Sequence, residues 1–220
     1  MSRIPIVFSP SQQPWNKCVI CGSEQHHCHE ISNKINDKIS LDTEQIISMV
    51  IPKFTGGLER DYLARAVNIS DKFIKKHGGY GIHIAVHTDA GGTIPMGASA
   101  FSYNLTGNGY KMATAIHKRI CLLTPWGDTE QVKARPELYE IRKPIGWTSF
   151  HELAFHDKPE SAKFIHDHMD DFADVIVDGI YDGLISMGYV VKNPFDHTMA
   201  ADRLVDAMVH DGLVTNKDLW

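Results

Sequence analysis

The chain has 220 residues, 43% hydrophobic and 22% charged, with a formal net charge of -5. That length suits one α/β domain with a small appendage, and the apolar share is enough for a core without disulfide staples. An acidic balance disfavours nucleic acid as a partner, and no apolar run approaches the roughly 18 residues of a membrane span.

The N-terminal residues Met1 to Phe8 lead straight into a strand, with no signal core and no small-residue cleavage site. This predicts a chain made in the cytoplasm. Its four cysteines, Cys18, Cys21, Cys28 and Cys121, then read as thiols or metal ligands rather than a disulfide framework.

Ile4 to Phe8 reads as a first strand, followed by a loop from Ser9 to Gly22. Ser23 suits the N-cap of a helix from Glu24 to about Ile39, with Cys28, Ile31, Ile35 and Ile39 at helical spacing. Ile46 to Ile51 reads as a second strand, and Leu58 to about Lys76 as a helix ended by Gly78-Gly79. Ile82 to His87 has the character of a buried central strand that runs into a glycine-rich loop, Thr88 to Gly92. Ala98 to Tyr103 reads as another strand, and Gly109 to about Leu123 as a helix ended by Pro125.

Leu138 to Arg142 and Thr148 to Leu153 also read as strands. Pro159 fits the first turn of a long helix that runs to about Met187 and stops at Gly188. Strands thus alternate with helices, which predicts an α/β fold: a mixed, largely parallel sheet with helices on both faces. Asn193-Pro194 breaks the pattern, and a short helix, Met199 to Val209, is expected in a tail ending at Trp220. The expected division is a main domain, 1–191, and a short helical tail, 192–220.

His87 stands at the C-terminal lip of the central strand, where ligands and catalytic groups collect in an open α/β sheet. Glu152 stands near the end of a later strand, and a histidine and a glutamate so placed suggest a hydrolytic metal site. Glu24, at the start of the first helix, projects toward the same edge and suits a zinc ligand; otherwise it merely complements the helix dipole. A half-buried Glu152 has a raised pKa and can serve as general base, the alternative being a salt bridge. His83 shares a strand face with His87 and reads as a structural or supporting residue. His151, His156, His166 and His168 read as surface or supporting residues, and Asp170-Asp171 as part of a solvated face.

Cys18-Val19-Ile20-Cys21, followed by His26, His27, Cys28 and His29, resembles a small structural zinc site. No second CxxC or spaced histidine pair completes it, and Cys28 also fits the apolar face of the first helix.

Several segments together resemble the zinc-dependent N-acetylmuramoyl-L-alanine amidases of the Amidase_3 type, found in bacterial autolysins and phage endolysins. They are Phe8 to Asn16, Gly22-Ser23-Glu24, Val86-His87-Thr88-Asp89-Ala90, Phe101-Ser102-Tyr103 with Gly107-Asn108-Gly109-Tyr110, and His151-Glu152-Leu153-Ala154-Phe155-His156-Asp157. The match spans roughly residues 4 to 188. It implies a zinc-dependent hydrolase that cleaves the amide between N-acetylmuramic acid and L-alanine in peptidoglycan. By position, Glu24 and His87 are then zinc ligands and Glu152 is the catalytic base.

The family's first histidine ligand is replaced here by the stretch Ser9-Pro10-Ser11-Gln12-Gln13. A related subgroup with a Ser-Pro-Ser-x-Gln-x-x-Asn stretch is similar, and it puts Gln13 in the third ligand position. His27, three residues after Glu24, is the alternative third ligand. The resemblance and the missing signal peptide together predict an endolysin-like enzyme that reaches the wall after release. The alternative is a non-catalytic wall-binding protein that retains the fold.

Overall fold

The computed structural model describes residues 3–20, 22–55, 59–91, 97–126 and 131–195. Its strands are β1 (Ile4–Pro10), β2 (Lys17–Cys18), β3 (Gly22–Ser23), β4 (Ile46–Val50), β5 (Ile82–Asp89), β6 (Ser99–Ser102), β7 (Lys133–Ala134) and β8 (Trp147–Phe155). Its helices are α1 (Glu24–Ile39), α2 (Glu59–Lys76), α3 (Gly107–Leu123), α4 (Tyr139–Arg142), α5 (Pro159–Asp167) and α6 (Met169–Ser186). Six strands form one sheet in the order β4-β1-β5-β8-β6-β7. The first four of that order run parallel, and β6 runs antiparallel to β8. β2 and β3 form a separate small hairpin.

The pleat sorts each strand between two cores. Ile4, Ile6 and Phe8 of β1 and Ile82, Ile84 and Val86 of β5 enter the larger core, with Ile31, Ile35 and Ile39 of α1 and with α3, α5 and α6. Val7 points the other way, into a core with Tyr62, Ala66 and Ile74 of α2. On that second face Ala85 and Phe150 pack with Phe101 and with Ile141 of α4. Helices thus cover both faces, as the sequence predicts. Ser9, His83, His87 and Glu152 share the parity of Val7, Ala85 and Phe150, so they fall on the α2/α4 face.

The structure departs from the sequence expectation in places. The segment Leu138–Arg142 is not a strand: Arg142 N donates to Leu138 O at 3.0 Å, and α4 forms one helical turn. Leu138 and Ile141, three residues apart, pack on the same apolar cluster. Five residues are too few for hydrophobic periodicity to separate a strand from a helical turn. The long helix after Pro159 is two helices, broken at His168 (φ -119°, ψ 27°). There the His168 ring packs on Phe164, and its Nδ1 lies 2.9 Å from Asp171 Oδ2 at the start of α6.

β5 continues through Thr88 and Asp89, because its pairing with β8 resumes at Asp89 after a register shift. The turn begins only at Ala90 and Gly91, whose φ of 89° suits glycine. The expected tail helix, Met199 to Val209, lies outside the described residues. Among the described residues no helix is long and apolar enough to cross a membrane.

α3 and α6 pack closely at Gly179, where a Cβ would stand 2.6 Å from Ile116 Cα. Gly179→Ala is therefore expected to destabilise the chain by roughly 1–3 kcal/mol, the cost of overpacking. Thermal unfolding would show it as a lower Tm, and an unchanged Tm would contradict the close approach.

Candidate active site

A cleft of about 310 Å³ opens at the C-terminal ends of the parallel strands, where α/β sheets bind ligands. Gln13, Asn16, Glu24, His87, Glu140 and Glu152 are among its lining residues. The local folding of each is traceable. Ser23 adopts an extended backbone and its hydroxyl accepts from the His26 N–H, which starts α1 and puts Glu24 in the first turn, over the strand ends. His87 and Glu152 are register partners on β5 and β8, so the pleat sends both to one face. α4 lies across that face and supplies Glu140.

His87 sits between two carboxylates. Its Nδ1 lies 3.0 Å from Glu24 Oε1, and its Nε2 lies 3.2 Å from Glu140 Oε2. The ring stacks on Phe150 at 4.4 Å between centroids. Asn16 Nδ2 donates to Glu24 Oε2 at 2.7 Å and also to Gln13 Oε1, which draws the Gln13 amide oxygen up to Glu24. Glu140 in turn accepts from Ser9 Oγ at 2.5 Å. His83 Nε2 lies 3.5 Å from the same Glu140 oxygen, an electrostatic contact rather than a good hydrogen bond.

The charges follow from this packing. Burial disfavours a charged His87, but the hydrogen bonds and charges of Glu140 and Glu24 outweigh it and hold the imidazole well above its ordinary pKa. Burial likewise opposes ionised Glu24, yet His87 and Asn16 overcome it and hold the carboxyl at about 2. Glu140 behaves similarly: burial is outweighed by His83 and His87, and it stays far below the usual carboxylate range.

Glu152 goes the other way. Burial, with the negative charges of Glu24, Asp89 and Glu140, outweighs the pull of His87 and pushes it up to about 8. Among the described residues nothing hydrogen-bonds its Oε2. The same cleft thus holds a permanently ionised pair of carboxylates and a carboxyl poised near neutrality. Environments that push such groups apart mark acid–base sites.

Of the residues singled out in sequence, Gln13, Glu24, His87 and Glu152 come together at the cleft. His27 does not line it. The His27 Nε2 lies 2.6 Å from Thr88 Oγ1, and the same hydroxyl lies 2.9 Å from His156 Nδ1, on the opposite face of β5. Burial and the neighbouring His156 push the His27 pKa down to about 3, so the His27 imidazole is neutral. His151 and His156 are buried, not surface residues. β8 faces helices on one side, and His156 is tied by hydrogen bonds to both the hydroxyl and the carbonyl of Thr88.

Cys28 is fully buried in the helix face, and burial raises its thiol pKa well above the ordinary value, as in a core thiol rather than a thiolate ligand. Cys21 lies outside the described residues. Sequence reasoning missed Glu140, because a buried acid in a single helical turn leaves no periodic signal. It missed Asn16 too, although that residue ends the stretch from Phe8 to Asn16.

These residues fit a divalent cation such as zinc in donor chemistry. Glu24 Oε1 and His87 Nδ1 already converge, the Gln13 oxygen is adjacent, and the buried Oε2 of Glu152 stands open beside them. The acidic side chains Glu24, Asp89, Glu140 and Glu152 outnumber the single imidazole of the cleft and favour a cation. Among the described residues no group of three or more His, Cys, Asp or Glu side chains is arranged to hold a metal ion. The third donor here is an amide oxygen, a weaker zinc ligand than the imidazole it replaces.

No family model matches the chain, and no curated protein matches it in sequence. Solved structures match it in architecture. The CwlD amidase of Clostridioides difficile, solved in complex with the GerS lipoprotein, aligns with a TM-score of 0.67 at 14% identity. That alignment covers 84% of this chain and 100% of the other. The catalytic domain of the CD27L endolysin, which targets Clostridia difficile, aligns with a TM-score of 0.66 at 15% identity, over 82% of this chain and 98% of the other. The N-acetylmuramyl-L-alanine amidase Ami1 of Mycobacterium smegmatis gives 0.62 at 13% identity, over 83% and 97%. The chain has the amidase catalytic-domain fold. At these identities the likeness is one of fold, and it agrees with the architecture implied by the sequence resemblance.

The raised pKa of Glu152 carries a stability consequence. Its folded value of about 8 lies above the ordinary 4.5, so folding favours the protonated form. The stability contributed by this group is full below 4.5 and is lost as the pH rises toward 8. Glu152→Gln removes that loss. In chelator, urea unfolding is expected to find the variant more stable by roughly 3 kcal/mol at pH 7, with no gain near pH 4. A variant no more stable than the parent at pH 8 would rule out the burial argument.

Proposed function

We propose that this chain is a peptidoglycan hydrolase that cleaves the amide between N-acetylmuramic acid and L-alanine. The observation that carries the reading is the buried Glu152 Oε2, unpartnered among the described residues, beside the converging Glu24 and His87 donors at the strand ends of an amidase fold. Glu24, His87 and Gln13 would hold zinc, as the resemblance implies. Bound zinc supplies Lewis-acid polarisation of the scissile carbonyl and makes water more acidic.

The protein's own groups do the rest. Glu152, ionised, takes a proton from the attacking water and returns it to the departing amine nitrogen. Its free Oε2 leaves one oxygen available for that exchange. Phe150 stacks on the His87 ring and restricts its rotation, which keeps Nδ1 aimed at Glu24. The cleft sets polar groups beside the apolar Leu63, Leu138 and Phe150, a mixed lining that suits a peptide–sugar junction.

The test is digestion of purified peptidoglycan with and without a chelator, followed by mass analysis of the soluble fragments. Peptides with a free L-alanine N-terminus are expected, and the chelator should abolish their release. Glu152→Gln is expected to cut that release by at least about 100-fold while wall binding persists. No release from several wall chemotypes by folded, zinc-supplied protein would favour the wall-binding reading, to which the replacement of a histidine ligand by Gln13 also points.

A further inference from the structure

We propose that Glu140 is a positioning residue that decides which ring nitrogen His87 presents to the metal. This role rests on the reading of Glu24 and His87 as metal ligands. Ser9 Oγ donates to Glu140 Oε1, and the other oxygen, Oε2, stands 3.2 Å from His87 Nε2, where it is placed to accept a proton carried on that nitrogen. The other nitrogen, Nδ1, is 3.0 Å from Glu24 Oε1. Once a cation replaces the proton shared there, Nδ1 offers its lone pair where the Glu24 oxygen already points. A carboxylate behind a ligating imidazole fixes the tautomer and strengthens the ligand.

Glu140 is itself held in place. It is 4% exposed, Ser9 Oγ of β1 donates to its Oε1 at 2.5 Å, and His83 of β5 approaches the same oxygen. His83 Nδ1 lies 2.9 Å from Ser70 Oγ of α2. The carboxylate is therefore held by a hydrogen bond from β1 and an electrostatic contact from β5, and one of its oxygens is left for His87. A salt bridge that merely pinned α4 to the sheet would be indifferent to which nitrogen of His87 it met. This one reaches the nitrogen farther from Glu24.

Two measurements on the full chain decide the matter. In zinc-loaded protein carrying 15N-labelled histidine, long-range proton–nitrogen spectra are expected to show His87 protonated at Nε2, with Nδ1 the coordinated nitrogen. A proton on Nδ1, with Nε2 at the metal, would overturn the proposal. Zinc affinity, read by competition with a chromophoric chelator, should fall about 10-fold in Glu140→Gln and about 100-fold in Glu140→Leu.

The glutamine carbonyl still accepts from Nε2–H but has lost the charge, whereas leucine does neither. Folding of each metal-free variant is checked by circular dichroism. If Glu140→Leu does not fold, the nearly isosteric Glu140→Gln and the wild-type spectrum decide. Unchanged affinity in folded variants overturns the role of Glu140 alone. A wild-type chain that takes up no zinc overturns the ligand reading, and this role with it.

Discussion

The cleft depends on one buried imidazole held between two carboxylates. His87 reaches Glu24 through one nitrogen and Glu140 through the other, and each contact makes sense only with the other two groups in place. All three are almost fully buried. Taking charges out of water is costly, and removing one partner of a buried set leaves the others uncompensated, a loss of several kcal/mol. The triad therefore binds three elements to one another: the start of α1, the end of β5 and the single turn of α4. The sheet pleat makes this possible, because it sends Ser9, His83, His87 and Glu152 to the face that α4 covers.

Glu152 is the counterpart of that triad. The triad resolves its burial by internal pairing, whereas Glu152 carries a buried oxygen with no partner among the described residues. A fold selected only for stability would fill or neutralise that position. Local violations of this kind concentrate where chemistry is done. The contrast also separates the roles of the acidic groups. Two are locked as permanent anions, and one is left free to exchange a proton.

The sequence made part of this legible. The alternation from Ile82 to His87 and the Ser23-Glu24 cap both have short-range physical causes, so the central strand and the start of α1 could be read directly. Parity then put His87 and Glu152 on a common face once the two strands were known to pair. Glu140 could not be found that way. It belongs to a single helical turn, and its partners Ser9 and His87 are 131 and 53 residues away. The break at His168 was hidden for a related reason: no proline or glycine separates α5 from α6, and the contacts of the His168 ring with Phe164 and Asp171 mark the boundary. His156 read only as a surface or supporting residue, because its tie to Thr88 spans 68 residues of sequence.

The Thr88 hydroxyl, clasped by His27 on one side and His156 on the other, has a consequence for the residue before it. Strand parity means that a slide of β5 by one position would swap the faces of His87 and Thr88, and a hydroxyl would then stand where the imidazole belongs. The two histidines on the far face resist that slide, because each reaches the same oxygen from a different element. The network behind the sheet thus works as a detent, and it fixes which of two adjacent side chains the cleft receives.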